Sequence, residues 1–185
     1  MASMDLEARI DRLESRAQIS ELVAAYCKAC DDRDVPLLES LFTEDAVVRS
    51  HDGVMTSEGR AAVMQMYKGR FDVLGISCHW THDHILRFDP QDPDHATGEV
   101  FGHAEAHRNG QTLVAALRYA DDYRRCDGTW KFSSRTLAFL YYVPVEDYAE
   151  ALGGRLRQRA YGDKRPADYP ETFESWTGWV RHFGG

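Results

Sequence analysis

Apolar residues recur at steps of three and four along the N-terminal part of the chain. Leu6, Ile10, Leu13 and Ala17 lead into Ile19, Leu22, Val23, Tyr26 and Cys30. That stripe predicts one long amphipathic helix over residues 5–31. A second, short helix is predicted over 35–41, "VPLLESL", with Pro36 in its first turn, where a missing N–H costs nothing. "FTEDAVVRS" then reads as a short strand. "TSEGRAAVMQMYKGR" reads as a third helix, with Thr56 or Ser57 as its cap and Glu58 to Ala61 in its first turn.

From Ser77 the period changes to two. "SCHWTHDHILRFD", "HATGEVFGHAEAHR", "QTLVAALRYADDYRRC" and "TWKFSSRTLAFLYYV" read as long strands. They are joined by "PQDPD", Asn109-Gly110 and Asp127-Gly128, all turn chemistry, so the strands form an antiparallel meander. Helices first and strands afterwards mean an α+β fold. N-terminal helices packed on a strongly curved antiparallel sheet make a cone-shaped α+β barrel, apolar inside and open at its wide end. Such a hollow suits one small, mostly apolar ligand. Met55, Met64 and Met66 read as core or pocket lining.

After Pro144 the pattern shifts. "VEDYAEALGGRLRQR" reads as a helix broken by Gly153-Gly154, and "YGDKRPADYPETFESWTGWVRHFGG" is turn-rich but carries Trp176 and Trp179. The expected organisation is a cone-shaped domain over 1–145 and a C-terminal helical or irregular extension over 146–185. The aromatics of that extension are expected to dock on the domain or on a neighbouring subunit.

Composition narrows the function classes. The 185 residues suffice for one domain with a real core, at 43% apolar and 28% charged. A formal charge of −8, with no basic cluster, argues against a nucleic-acid partner. The N-terminal stretch is charged, and "LAFLYYVPV" is far short of the roughly 20 apolar residues that span a bilayer. A cytoplasmic location with no membrane partner is therefore expected. Cys27, Cys30, Cys78 and Cys126 are expected to be free thiols. Cys27-x-x-Cys30 lies inside a helical pattern and lacks a second pair, so it reads as two small thiols packing on a helix rather than a redox or zinc motif.

Two longer stretches, "IDRLESRAQISELVAAYCKACDDRDVPLLESLFTEDAVV" and "DDYRRCDGTWKFSSRTLAFLYY", carry a resemblance. They resemble the opening, and the penultimate turn and last strand, of the scytalone dehydratase-like (SnoaL-like) family within the nuclear transport factor 2-like superfamily. The resemblance covers residues 5–145 and leaves the tail unmatched. It implies the cone fold and an Asp–His pair, the Asp at the end of the first helix and the His at the start of the first long strand. Those positions match Asp31 in "ACDDRD", with Asp32 as its rival one residue on, and His79 in "CHWTHDH". Further matches are Tyr26, Arg135 in "WKFSSR" and His103 in "GEVFGHAEA".

These residue types suit cofactor-free elimination. Histidine titrates near neutral pH, at about 6.5. A carboxylate bonded to one ring nitrogen fixes its tautomer and stabilises the imidazolium that forms. Tyr26, Arg135 and His103 are suitable donors to a departing group or a growing enolate. Each also has a plain structural reading. Tyr26 on an apolar helical face is core more often than catalytic, and a strand histidine is often merely satisfied. A carboxylate at a helix C-terminus, by contrast, opposes the dipole and needs a reason. Arg135 shares its parity with Leu137, Phe139 and Tyr141, which predicts a buried face and a need for a partner carboxylate. Alternation puts His82 and His84 on one strand face and His79 on the other. With no third ligand at metal spacing, no metal is expected. His84, His95 and His107 read as solvated.

The expected function is a cofactor-independent lyase of dehydratase type, acting on a small cyclic, largely apolar substrate through an Asp31–His79 base. The alternatives are an isomerase or polyketide-cyclase-type enzyme on the same fold, or a non-catalytic ligand-binding or structural subunit. No cofactor is expected. The expected partners are a small-molecule substrate and further copies of the chain, as a trimer in preference to a dimer.

Overall fold

The structure, a computed structural model, describes residues 5–184; residues 1–4 of the charged N-terminal stretch and the final glycine of the tail lie outside them. Helix α1 (Leu6–Asp32) begins at Asp5, whose side chain accepts from the Ala8 amide at 2.8 Å. Its second half buries Ile19, Leu22, Val23, Tyr26, Cys27 and Cys30. Its first turns do not pack: Leu6, Ile10 and Leu13 are exposed, although the stripe they begin reads as core. α2 (Val35–Ser40) starts at Asp34, which caps the Leu37 amide, with Pro in the first turn.

β1 (Phe42–Ser50) and a three-residue strand β2 (Thr56–Glu58) pair antiparallel. This corrects the expected cap of the third helix. Thr56, Ser57 and Glu58 are committed to the sheet, opposite Arg49, Val48 and Val47. Gly59, at φ 81°, turns the chain into α3 (Arg60–Val73) with no side-chain cap. That backbone angle is one only glycine adopts without cost.

β3 (Leu74–Phe88), β4 (His95–Arg108), β5 (Gln111–Cys126) and β6 (Thr129–Pro144) form the expected meander. β1 joins it parallel to β6, so the sheet is mixed rather than wholly antiparallel, in the order β2-β1-β6-β5-β4-β3. It curls around the helices without closing, leaving β2 and β3 as edges.

Single-residue bulges decide which side chains face inward. In β3 an extra residue between Thr81 and His84 breaks the alternation. His82 therefore points out while His84 points in, against the expectation that they share a face. In β6 a second bulge, between Phe139 and Tyr141, turns Tyr141 away from Leu137 and Phe139. Tyr141 packs instead with Ala116, Val143 and Ala151 in a separate small cluster.

The tail is helical at both its ends. Val145–Gly153 is a 3-10 helix, not an α-helix. Glu174–Phe183 is a genuine helix, α4. Its Trp176, Trp179, Val180 and Phe183 form an i, i+3, i+4, i+7 stripe that is exposed on this chain. Between the two, the segment lies along β6. The Asp168 carboxylate accepts from the Phe139 amide at 2.6 Å, and Gln158 bridges to Tyr142. Arg108 donates to the Arg159 and Ala160 carbonyls. Among the described residues no helix is long and apolar enough to cross a membrane.

Candidate active site

The end of α1 meets the start of β3. Arg33, at φ 57°, stops the helix in a left-handed turn. Its guanidinium donates to the Leu74 carbonyl and, at 3.0 Å, to the Gly75 carbonyl. That clamp brings the last turn of α1 against an edge strand whose outer amides have no ladder partner. Asp31 uses them. The His79 amide donates to its Oδ2 at 2.8 Å, and Ser77 Oγ to its Oδ1 at 3.0 Å. The His79 ring donates from Nδ1 to Oδ1 at 2.6 Å.

Three donors answer the objection to a carboxylate at a helix C-terminus. Burial works to raise the Asp31 carboxyl. The bonds from the His79 ring and amide, the nearby imidazole and Ser77 outweigh it, and the group is held below the usual carboxylate range. Asp32, the rival, is exposed and paired with Lys28 one turn back.

An ionised carboxylate only accepts, so the Asp31 contact fixes the proton of a neutral His79 on Nδ1. Nε2 then carries the lone pair, and among the described residues it has no hydrogen-bond partner. His79 lines a hollow with Tyr26, Tyr67, Ser77, Met66 and Phe71, among others. The enclosed space is about 60 Å³, within a hollow of about 700 Å³ counted out to its open mouth. The inner face of β4 makes the room. Ala104 and Ala106 line it with side chains of a single carbon, and Ala104 sits opposite His79.

Tyr26 is fully inside. Its hydroxyl bonds to that of Tyr67 at 2.9 Å, joining α1 to α3. Burial, then neighbouring Cys30, raises both phenols, so both are neutral at any physiological pH and the pair keeps one O–H free to donate. Nothing in the sequence pattern singles out Tyr67, which lies within the helical stretch of α3.

Arg135 lies behind these rings. It is completely buried, with its Nε and Nη2 bonded to the two Asp121 oxygens at 2.8 and 2.7 Å. Its guanidinium carbon is 4.1 Å from the Tyr26 ring centre and 4.2 Å from that of Tyr119. It does not itself line the hollow. The Tyr123 hydroxyl donates to Asp121 at 2.8 Å and stands 3.2 Å from His84 Nε2. His84 is thus half-buried rather than solvated. Burial lowers its pKa, with the charges of Arg135 and Arg16 adding to the fall and Asp121 opposing it. Gly98 permits this contact: a Cβ there would stand 2.6 Å from the His84 ring and 2.8 Å from Tyr123.

His103 does not join the group. Ala104 faces in, so its neighbour His103 faces out, where its Nδ1 lies 2.7 Å from His82 Nε2. The expected donor role for His103 is corrected accordingly. Among the described residues no group of three or more His, Cys, Asp or Glu side chains is gathered to hold a metal ion. Cys27 and Cys30 are buried free thiols, pushed up by burial to about 11 and about 12, so neither is a thiolate nucleophile near neutral pH.

Comparison with known proteins agrees with the fold. A family model described as a SnoaL-like domain matches residues 11–136. Gamma-hexachlorocyclohexane dehydrochlorinase of Sphingobium indicum is 28% identical over 137 residues, covering 74% of this chain and 87% of that protein. The solved hexachlorocyclohexane dehydrochlorinase LinA-type3 of Novosphingobium barchaimii superposes with a TM-score of 0.68 at 25% identity, over 74% of this chain and 94% of that one. A scytalone dehydratase-like structure from Novosphingobium aromaticivorans has a TM-score of 0.68 at 20% identity, over 73% of this chain and 90% of that one. At that identity it is a likeness of fold alone.

Proposed function

The chain belongs to the SnoaL-like domain family, and from that premise we propose that it is a lyase, eliminating a small leaving group from a small cyclic, largely apolar substrate without a cofactor. The observation that carries this reading is the Asp31–His79 contact, 2.6 Å long, with the free Nε2 on a mostly apolar hollow. In the proposed step the Nε2 lone pair takes a proton from a ring carbon. The C–H electrons become the new C=C bond, and the bond to the leaving group breaks with its electrons going to that group. Asp31 stabilises the imidazolium so formed. A departing hydroxyl leaves as water, taking its proton from the free O–H of the Tyr26–Tyr67 pair, and the imidazolium's proton then restores the phenol; a halide leaves as the anion, accepting from that same O–H. Arg135 touches no substrate in this scheme. It sits behind the Tyr26 ring and holds its position.

The dehydrochlorinases among the relatives carry out an elimination of this class, which supports the reading. The test is a panel of small rings bearing chloride or hydroxyl one carbon from an acidic C–H, with products identified by mass. The proposal expects loss of HCl or water. A product of unchanged mass identifies an isomerase on the same base and contradicts it.

A further inference from the structure

Arg70 stands apart from the other polar groups of the hollow. It comes from the last turn of α3 and lines the same space as His79, Tyr67 and Phe71. It is partly buried. Among the described residues its guanidinium has no ion pair and no side-chain hydrogen bond, whereas the buried Arg135 has Asp121 and Arg157 has Glu171. The other acid at the site, Asp31, already has three donors of its own. Arg70 is therefore an unmatched cation beside an apolar hollow, in a protein with a formal charge of −8.

The C-terminal end of a helix favours a cation, and that accounts for tolerance of the charge. It does not account for its place on the wall of the hollow. The groups that feel it are phenols. The Tyr67 hydroxyl is raised by burial and lowered in part by Arg70; Tyr161, brought across from the tail, is raised by burial, lowered by Ser50 and then by Arg70, and raised further by Asp52 and Asp168. Neither phenol supplies a counter-charge.

We infer that Arg70 is a substrate-selecting residue, and that the ligands of this site carry a carboxylate on an otherwise apolar ring. A guanidinium presents two parallel N–H donors that match a carboxylate's two oxygens. With the ring inside against the alanines of β4 and the carboxylate at Arg70, the rest of the molecule lies along the wall that holds His79 and the two phenols. This rests on the proposed site but not on its chemistry, because recognition at Arg70 needs no proton transfer.

The test is equilibrium binding of matched pairs, cyclohexanecarboxylate against its carboxamide and benzoate against benzamide, by calorimetry or ligand-observed NMR at pH 8. Wild type is expected to bind the acids more tightly by about tenfold or more, the scale of one charge-assisted contact. Arg70→Gln abolishes that preference with an unchanged melting temperature, and Arg70→Lys keeps part of it. His79→Ala retains it, which separates this inference from the elimination mechanism: loss of turnover with retained acid preference supports both. Equal binding of acid and amide by wild type, no binding of either, or an undiminished preference in Arg70→Gln overturns the role of Arg70 and leaves the base untouched.

Discussion

The guanidinium of Arg135 is tied to one carboxylate and flanked by the Tyr26, Tyr119 and Phe132 rings, and its Nη1 has no hydrogen-bond partner. A buried pair like this contributes little net stability, but breaking it leaves a naked charge in a low-dielectric core. Asp121→Asn keeps the volume and removes the counter-charge. It is expected to destabilise the fold by about 3–5 kcal/mol, read as a lower urea midpoint. The double change to Leu at 121 and Met at 135 is expected to cost less than that single change. The need for a carboxylate beside Arg135 is legible from its apolar parity partners. Its identity is less so, because Asp121 and Asp122 are adjacent and only the register of β5 chooses between them. The same limit applies at Asp31 and Asp32, where the helix face decides. His84 reads as solvated because a bulge leaves no mark on an alternation already full of polar residues.

At the level of elements, the long strands and their turns follow directly from period-two alternation and from Asn109-Gly110 and Asp127-Gly128. What is not legible is the parallel pairing of β1 with β6, which joins segments far apart in sequence and has no turn to announce it. α4 is different. Its apolar stripe is present in the sequence, but Gly178 and the turn-rich run before it hide the period. The functional consequence lies in the junction of α1 with β3. There Arg33 both ends the helix and clamps it to the strand that carries His79. Arg33→Gly preserves the left-handed cap, since glycine is unstrained there, and loses only the clamp. Stability is expected to change by less than about 1 kcal/mol, while kcat/KM for the proposed elimination is expected to fall by about tenfold or more through misplacement of the proposed base. Unchanged kcat/KM shows that the three Asp31 contacts hold the junction alone.

On the scale of the whole molecule, a curled sheet with small residues on one inner strand leaves a hollow where helices and sheet do not quite meet. The polar groups the proposal uses converge on it from α1, α3 and β3. Composition and net charge are blind to this arrangement, because the buried ion pair sums to zero and a single unmatched cation on the wall is lost in a total of −8. The hollow alone is equally good for storage or transport of an apolar ligand. What distinguishes a catalyst is the imidazole held by Asp31 with a free nitrogen on that space. The direct measurement is kcat/KM of His79→Ala beside wild type, on a ring compound the wild type converts, with the fold checked by circular dichroism. The predicted result is a fall of about 10²–10⁴-fold with an intact fold; a folded His79→Ala protein that turns over at the wild-type rate contradicts the account.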